Sequence, residues 1–137
     1  MEFKVPTLHT ERLILRPLAA DDFASFEAFL ASERSEKMGG PYDARSAWGI
    51  FCHEVALWQL YGFGGLSIDL SATGDNVGIV EINYGPIFPE PELGWQLYEQ
   101  HEGNGYATEA ARALRDWAFR ERKLKTLVSY IDPTNTR

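Results

Sequence analysis

An α+β fold is predicted for this 137-residue chain by three observations. Short β-rich runs are separated by turn signals, which is typical of hairpins. Longer stretches carry apolar residues at helical spacing. A short apolar strand then runs through a glycine-bearing turn into the last of these helices. The length is that of one domain, so we expect residues 1–137 to form a single unit in which helices cover a sheet.

The amino-terminal half is predicted to contain one strand and two helices. The strand covers Glu11–Leu18, where Leu13 and Leu15 alternate with Arg12, Ile14 and Arg16. Its Arg12 and Arg16 are expected to face solvent, as charged side chains usually do. The helices cover residues 21–32 and 43–61, and each begins at an aspartate that can cap it.

The second half is predicted to hold the rest of the sheet. Phe63–Leu70 and Val77–Tyr84 flank a Gly-Asp-Asn turn, which predicts a hairpin. Gly85–Pro91 contains three prolines and is predicted to be a loop. The remaining predicted elements are a strand at Glu92–Tyr98, a helix from near Gly105 to about Arg122, and a last strand at Lys125–Ile131.

Composition limits the functions that the chain can have. No run approaches the roughly 18 apolar residues that span a membrane, so no membrane partner is expected. The net charge of −7 argues against nucleic acid and is compatible with a cationic substrate such as an amine. Cys52 is the single cysteine, which excludes an internal disulfide and favours a cytoplasmic protein. The histidines lack metal-ligand spacing, so we expect no metal site.

The segment Gln100–Ala107 reads Gln-His-Glu-Gly-Asn-Gly-Tyr-Ala and lies between a predicted strand and a predicted helix. The first N–H groups of a helix have no partner within it, and the helix dipole adds positive potential there. Gly103 and Gly105 let the backbone approach an anion without an intervening Cβ. The segment therefore predicts a phosphate or pyrophosphate cradle.

Two common phosphate loops fit this segment poorly. A nucleoside-triphosphate loop ends in Gly-Lys-Ser/Thr, whereas Gly105 is followed by Tyr106. A dinucleotide loop favours a third glycine where Thr108 stands, and an acid near the place of Lys125. What remains is the pattern Gln-x-x-Gly-x-Gly.

That pattern resembles the acyl-coenzyme A signature of the GNAT acetyltransferases, Arg/Gln-x-x-Gly-x-Gly/Ala. The flanking Glu-Leu-Gly-Trp-Gln-Leu at 92–97 and Gly-Tyr-Ala-Thr-Glu-Ala at 105–110 are similar to the branch that includes the ribosomal-protein N-terminal acetyltransferases. The opening Thr-Glu-Arg-Leu-Ile-Leu-Arg-Pro-Leu at 10–18 is similar to the same branch. The resemblance implies a mixed, mostly antiparallel central sheet flanked by helices.

The resemblance also implies acetyl-coenzyme A as co-substrate, with no metal. Its pyrophosphate would lie on the cradle, and the backbone of Leu97 and Tyr98 would bind the pantetheine arm and the thioester oxygen. Asn135 matches a family asparagine near that arm. The residues implied in coenzyme binding are Leu97, Tyr98, Gln100, Gly103, Asn104, Gly105, Tyr106, Ala107 and Asn135.

An ammonium must lose a proton before it attacks a thioester, so a general base is expected. Glu92 and Glu81 are carboxylates on predicted central strands, and Glu92 matches a glutamate that commonly opens this strand in the family. Three alternatives stay open: Glu92, Glu81, or neither. The group that protonates the leaving thiolate commonly lies in the family's fourth helix, so no general acid is assigned.

The family pattern continues beyond Asp-Pro-Thr-Asn-Thr-Arg at 132–137 with a fourth helix and a hairpin. This sequence contains neither, so we expect the domain to be incomplete at its carboxyl end. Either the rest lies outside this sequence or the gene product is truncated. The first is favoured, because the loss would leave an open sheet edge.

The predicted function is acetyl transfer from acetyl-coenzyme A to a primary amine by direct attack in a ternary complex. A non-catalytic acyl-coenzyme A-binding or regulatory module is the alternative, and a generic α/β nucleotide binder is the third reading. The acceptor is a small molecule or a protein N-terminus, and a homodimer stays open as an oligomeric state.

Overall fold

A five-stranded antiparallel sheet forms the centre of the computed structural model, which describes residues 4–128. The strands lie side by side in chain order, and each neighbouring pair is antiparallel. Their bounds are β1 Leu8–His9, β2 Leu13–Pro17, β3 Gly65–Leu70, β4 Asn76–Gly85 and β5 Phe88–Leu97. Together with the helices on its faces, this sheet confirms the predicted α+β class.

Three α-helices accompany the sheet within the described residues: α1 Phe23–Ala31, α2 Ala44–Tyr61 and α3 Tyr106–Glu121. The predicted cap of α2 is present, since Asp43 Oδ1 accepts a hydrogen bond from the Ser46 N–H at 2.8 Å. Short 3₁₀ turns precede and follow α1, and another follows β5, at Ala20–Asp22, Glu33–Met38 and Glu99–His101.

The helices cover opposite faces of the sheet. Leu114 and Ala118 of α3 belong to the larger core cluster with Ile82 of β4. Phe26 of α1 and Phe51 of α2 pack with Ile79 of β4 in a second cluster. Because side chains alternate along a strand, every second residue counted from Ile79 points to the α1–α2 side. The two faces of β4 are therefore separate chemical environments.

The predicted loop at Gly85–Pro91 is wrong, because β5 already begins at Phe88, which pairs with Gly85. Along β5 the backbone of odd-numbered residues points away from β4, as the hydrogen bond from the Leu93 N–H to the Val128 carbonyl shows. Pro89 and Pro91 are odd-numbered, so their missing N–H groups cost no bond to β4.

Val128 is the last of the described residues. This residue forms an isolated parallel bridge with Glu92, and its N–H donates to the Pro91 carbonyl at 3.1 Å. Residues 129–131 of the predicted last strand, and Asn135, lie outside the described residues. None of the helices described in residues 4–128 is both long and apolar enough to cross a membrane.

Candidate active site

The segment of the predicted cradle lies between β5 and α3. Gly103 and Gly105 adopt positive φ angles of 84° and 79°, and α3 begins at Tyr106. No side chain of residues 4–128 caps this helix terminus, and the first bond back to the turn is Glu109 N–H to the Gly105 carbonyl at 3.1 Å. The N–H groups of the first turn therefore remain available to an external acceptor, with the helix dipole behind them.

The need for glycine in the cradle comes from its backbone conformation. A Cβ built on Gly103 meets nothing within 4 Å, and one on Gly105 meets only Arg12 Nη2 at 3.4 Å. Both residues nevertheless lie in the left-handed region that other residues rarely adopt. The two glycines therefore determine which way the turn points its N–H groups.

Arg12 of the β1–β2 turn binds both the glycine turn and the first turn of α3. Its Nη1 donates to the Asn104 carbonyl at 2.8 Å and its Nε to Glu109 Oε1 at 2.7 Å, while the guanidinium lies 4.7 Å from the centre of the Tyr106 ring. Thr10 Oγ1 donates to the second oxygen of Glu109 at 2.5 Å. Arg12 is thus an anchor of the α3 N-terminus, although its outer face is exposed as predicted.

We expect Glu109→Gln to lower the free energy of unfolding by about 1–2 kcal/mol at pH 7, because charge-assisted hydrogen bonds become neutral ones and Arg12 is half exposed. Burial alone would raise the pKa of Glu109, but the bonds from Thr10 and Arg12 lower it below its ordinary value. The stabilisation is therefore present above the ordinary value and lost as pH falls through the lowered one.

Urea unfolding at pH 7 and pH 3 measures this difference. Glu121→Gln is the matched control, since Glu121 is an exposed glutamate of the same helix that pairs with the adjacent Arg120. An equal loss for Glu109→Gln at both pH values would contradict an ionic role.

Backbone groups at the end of β5 differ in their availability. The Tyr98 N–H donates to the Val77 carbonyl and the Tyr98 carbonyl accepts from the His101 N–H, both at 2.9 Å. Leu97 has the opposite parity, so its N–H and carbonyl point away from β4. Of the two predicted residues, Leu97 therefore presents backbone groups outward, and Tyr98 contributes its side chain.

A cavity of about 350 Å³ lies beside the cradle. Its size is at the lower end of ordinary ligand pockets. The predicted residues Gln100 and Tyr98 line it together with Phe29 of α1 and Arg34 of the following turn. Arg34 also pairs with Glu102, which ties the cavity wall to the cradle. Tyr98 Oη is buried and lacks a hydrogen-bond partner among the described residues, and burial raises the pKa of its phenol.

The other predicted coenzyme residues surround the helix start. Gly103, Asn104 and Gly105 are exposed, whereas Tyr106 and Ala107 are half-buried and pack against the core. The Asn104 side chain donates to the carbonyls of His101 and Glu102 at 3.4 Å. These residues are contiguous and stand at one surface of the molecule.

Glu81 is a buried carboxyl on the α1–α2 face of β4. It is 4% exposed, and its Oε1 accepts a hydrogen bond from Gln96 Nε2 at 2.8 Å. Its Oε2 has no partner within residues 4–128. Burial, with a contribution from the charge of Glu92, raises the pKa of Glu81 to about 7. A carboxyl with this proton affinity can exchange a proton near neutral pH.

Glu92, the other candidate base, lies two strand positions from Gly94 and pairs with Asn83 in the β4–β5 ladder. It is half-buried, and burial raises its pKa. The bridge to Val128 places it where β5 meets the last described residue. Both candidates therefore lie on the same face of the sheet, with Glu81 the more deeply buried.

Glu54 of α2 is a second buried carboxyl, which the sequence prediction did not include. It is 4% exposed, and its Oε2 lacks a partner in the described part of the chain. Burial and then the charge of Glu81 raise the pKa of Glu54 well above its ordinary value. The sequence did contain a signal for its burial, because Glu54 follows Ala47 and Phe51 along the apolar stripe of the helix.

The comparisons with known proteins identify the family of the chain. Residues 12–137 match the acetyltransferase (GNAT) domain family. The chain belongs to the GNAT acetyltransferase family. The crystal structure of an acetyltransferase from Agrobacterium tumefaciens strain C58 is 59% identical, with a TM-score of 0.93 over 99% of this chain and 80% of that chain. The GNAT family membership predicted from the Gln-x-x-Gly-x-Gly motif is thereby confirmed.

More distant GNAT structures share the fold. A putative ribosomal-protein-serine acetyltransferase from Vibrio cholerae is 23% identical, with a TM-score of 0.72 over 98% of this chain and 78% of that chain. The ribosomal L7/L12 alpha-N-protein acetyltransferase RimL, in complex with coenzyme A, is 14% identical, with a TM-score of 0.68 over 90% of this chain and 73% of that one.

A shorter sequence match is to the uncharacterized protein YkkB of Bacillus subtilis strain 168. It is 48% identical over 44 residues, which are 32% of this chain and 26% of that protein. The match thus spans about a quarter of the length of YkkB.

No group of three or more histidine, cysteine, aspartate or glutamate side chains in residues 4–128 is arranged to hold a metal ion. The candidate active site of this GNAT domain therefore consists of the backbone cradle, the outward-facing end of β5 and the buried carboxyls.

Proposed function

We propose that this GNAT protein transfers the acetyl group of acetyl-coenzyme A to a primary amine by direct attack in a ternary complex. The single observation that supports an amine as the acceptor is the environment of the Glu81 carboxyl group. This group is buried, one of its oxygens is unpartnered among the described residues, and its pKa is about 7. Such a group can take the proton that an attacking ammonium must lose.

The donor site in this proposal is the cradle and the end of β5. The chain carries a net charge of −7, so a pyrophosphate must be held by local N–H groups and not by the overall field. The uncapped start of α3 supplies those groups. Gln100, Gly103, Asn104 and Gly105 form the turn, Tyr106 and Ala107 open the helix, and Leu97 offers outward backbone groups. The predicted contact at Asn135 lies beyond the described residues.

The chemical step follows from these positions. Glu81 takes one proton from the ammonium, directly or through a water, and the neutral amine nitrogen then attacks the thioester carbonyl carbon. The new C–N bond forms and the C–S bond breaks, so the coenzyme leaves as the thiolate, which takes the second proton that the acylated nitrogen loses. In this proposal the outward-facing Leu97 N–H donates a hydrogen bond to the oxyanion that develops on the carbonyl oxygen.

Glu81 is proposed as the base in preference to Glu92. Glu81 is the more buried of the two, and its Oε2 lacks a hydrogen-bond donor within the described residues. Glu92 contributes through its charge, which raises the pKa of Glu81. Glu92 remains the second candidate, and the kinetics of Glu81→Gln and Glu92→Gln distinguish the two carboxylates.

The proposed acceptors are protein N-termini and small amines. The structural neighbours include ribosomal-protein acetyltransferases, which supports testing peptides first. The proposed partners do not include nucleic acid or membranes, a homodimer is retained as a candidate assembly, and the proposed location is the cytoplasm.

An acceptor panel tests the proposal. The full-length protein is incubated with acetyl-coenzyme A and, in turn, peptides beginning with serine or alanine, a polyamine, an amino acid and an aminoglycoside, while free thiol release is followed. We expect amine-dependent thiol release with at least one acceptor. Coenzyme binding without release for any amine would favour a non-catalytic acyl-coenzyme A-binding module instead.

A further inference from the structure

Glu54 and Glu81 lie over one transverse row of the sheet. Gly65 of β3 pairs with Glu81, and Glu81 pairs with Gly94 of β5. A Cβ on Gly65 would lie 3.0 Å from Glu54 Cβ and 3.4 Å from its Oε2. A Cβ on Gly94 would lie 2.9 Å from Glu81 Oε1. The two glycines therefore leave the space above the row to the two carboxyl groups.

This arrangement leaves hydrogen-bond acceptors unused in a buried place. Oε2 of Glu54 and Oε2 of Glu81 have no partner within the described residues, and each side chain is 4% exposed. Oδ1 of Asn83, two positions from Glu81 on the same face of β4, is also buried and unpartnered there. Buried acceptors without donors are costly, so native structures usually satisfy them.

An alkylammonium matches this set of acceptors. It carries one positive charge and three N–H donors. Two buried carboxyl groups without a cation are held neutral at a cost, whereas a bound cation lets them ionise. A neutral ligand such as an alcohol offers one donor and no charge, and therefore compensates much less.

We propose that Glu54 is a specificity-determining residue of the acceptor site, which binds the protonated acceptor amine together with Glu81 and selects cationic acceptors. The inference rests on the proposed function. Glu54 and Glu81 hold the ammonium first, and Glu81 then takes its proton. Other titratable groups of the described residues also face this pair. The charge of Glu92 acts on Glu81, Tyr98 directly after β5 is affected by the charge of Glu81, and the His53 ring of α2 stacks on Phe88 of β5.

Binding of a probe tests the inference without turnover. The full-length protein, labelled with ¹³C in its glutamate carboxyl groups, is titrated by NMR from pH 4 to pH 9 with n-butylammonium chloride or with n-butanol. Glu54→Gln and Glu81→Gln assign the two signals. We expect butylammonium to lower both apparent pKa values by about one pH unit or more, as an adjacent opposite charge does, and butanol to leave them in place.

Kinetics give the second readout, on any panel amine that the wild-type protein acetylates. We expect Glu54→Gln to raise KM for the amine about 10- to 100-fold, the size of one charge-assisted hydrogen bond. Its kcat should stay within about threefold, and KM for acetyl-coenzyme A should not change. Glu121→Gln, which removes an exposed glutamate at the end of α3, is the charge-matched control and should match wild type.

Several outcomes overturn the inference. If butylammonium moves neither signal and Glu54→Gln keeps its KM, the pair is a structural one that shares a proton. A loss in kcat at constant KM would assign Glu54 to the chemical step instead of binding. Equal KM values for amines that are neutral at the assay pH and for amines that are protonated there would also contradict the inference. A protein that acetylates no amine but binds butylammonium refutes the proposed function and leaves this cation site standing.

Discussion

Glu81→Gln is expected to lower kcat/KM for amine acetylation about 10²–10⁴-fold, the usual contribution of a positioned general base. Gln preserves the size of the side chain. Its amide oxygen can accept the hydrogen bond that Gln96 Nε2 donates to Glu81 Oε1 at 2.8 Å in the native protein. Coenzyme affinity should hardly change, because the cradle is formed by other residues. Steady-state kinetics and calorimetry with coenzyme A measure the two effects separately.

The pH dependence gives this prediction its direction. Burial, with a contribution from Glu92, raises the pKa of Glu81 to about 7, and the base must be deprotonated to act. The wild-type kcat/KM, which reports the free enzyme, should therefore rise with pH up to about 7 and level off above it. Glu81→Gln should lose this acid limb.

Glu92→Gln is the matched comparison. It removes a nearby negative charge, so the pKa of Glu81 should fall and the acid limb should move to lower pH with kcat largely kept. A large loss in Glu92→Gln with a near-normal Glu81→Gln would exchange the two roles. Wild-type profiles for both variants would mean that the acceptor loses its proton without either carboxylate.

Gly105→Val is expected to weaken coenzyme A binding by about 100-fold or more. Gly105 has a φ of 79° directly before α3, and a β-branched residue strongly disfavours that conformation. A shift of φ would turn the N–H groups of the helix start away from the pyrophosphate. The loss of one or two charge-assisted hydrogen bonds of about 1.5–3 kcal/mol each accounts for the expected factor.

Gly74→Val controls for strain alone. Gly74 has a φ of 81° in the β3–β4 turn, and a Cβ there meets nothing within 4 Å. Both variants should lose about 1–2 kcal/mol or more of stability, but only Gly105→Val should lose coenzyme affinity. Calorimetry on folded material decides. Equal coenzyme affinity in Gly105→Val and wild type would remove the cradle from the proposed site.

Local sequence was sufficient to predict the glycine turn before α3 and most of the helices and strands. The glycine turn, the helix start and the end of β5 are contiguous in the chain, so residue spacing alone places their backbone groups together. The hairpin around Gly74 and the three helices are likewise short-range patterns. Motif resemblance added the GNAT family, which residues 12–137 confirm.

Strand pairing decided the features that local patterns missed. The three prolines in 85–91 predicted a loop, yet β5 begins at Phe88 because its proline nitrogens face away from β4. Parity along the same strand also separates Leu97, whose backbone faces outward, from Tyr98, whose N–H is used by Val77. Register is a property of two strands together and cannot be read from either alone.

The pairing of Glu54 with Glu81 and the anchor of the cradle were decided by the tertiary structure alone. Arg12 and Glu109 are 97 residues apart and meet only because β2 passes beneath the start of α3. Glu54 looked like one polar residue in an apolar helical stripe, until the fold placed it over Gly65 beside Glu81. Local periodicity records which face of an element is buried, but the groups that share that buried space are chosen by long-range packing.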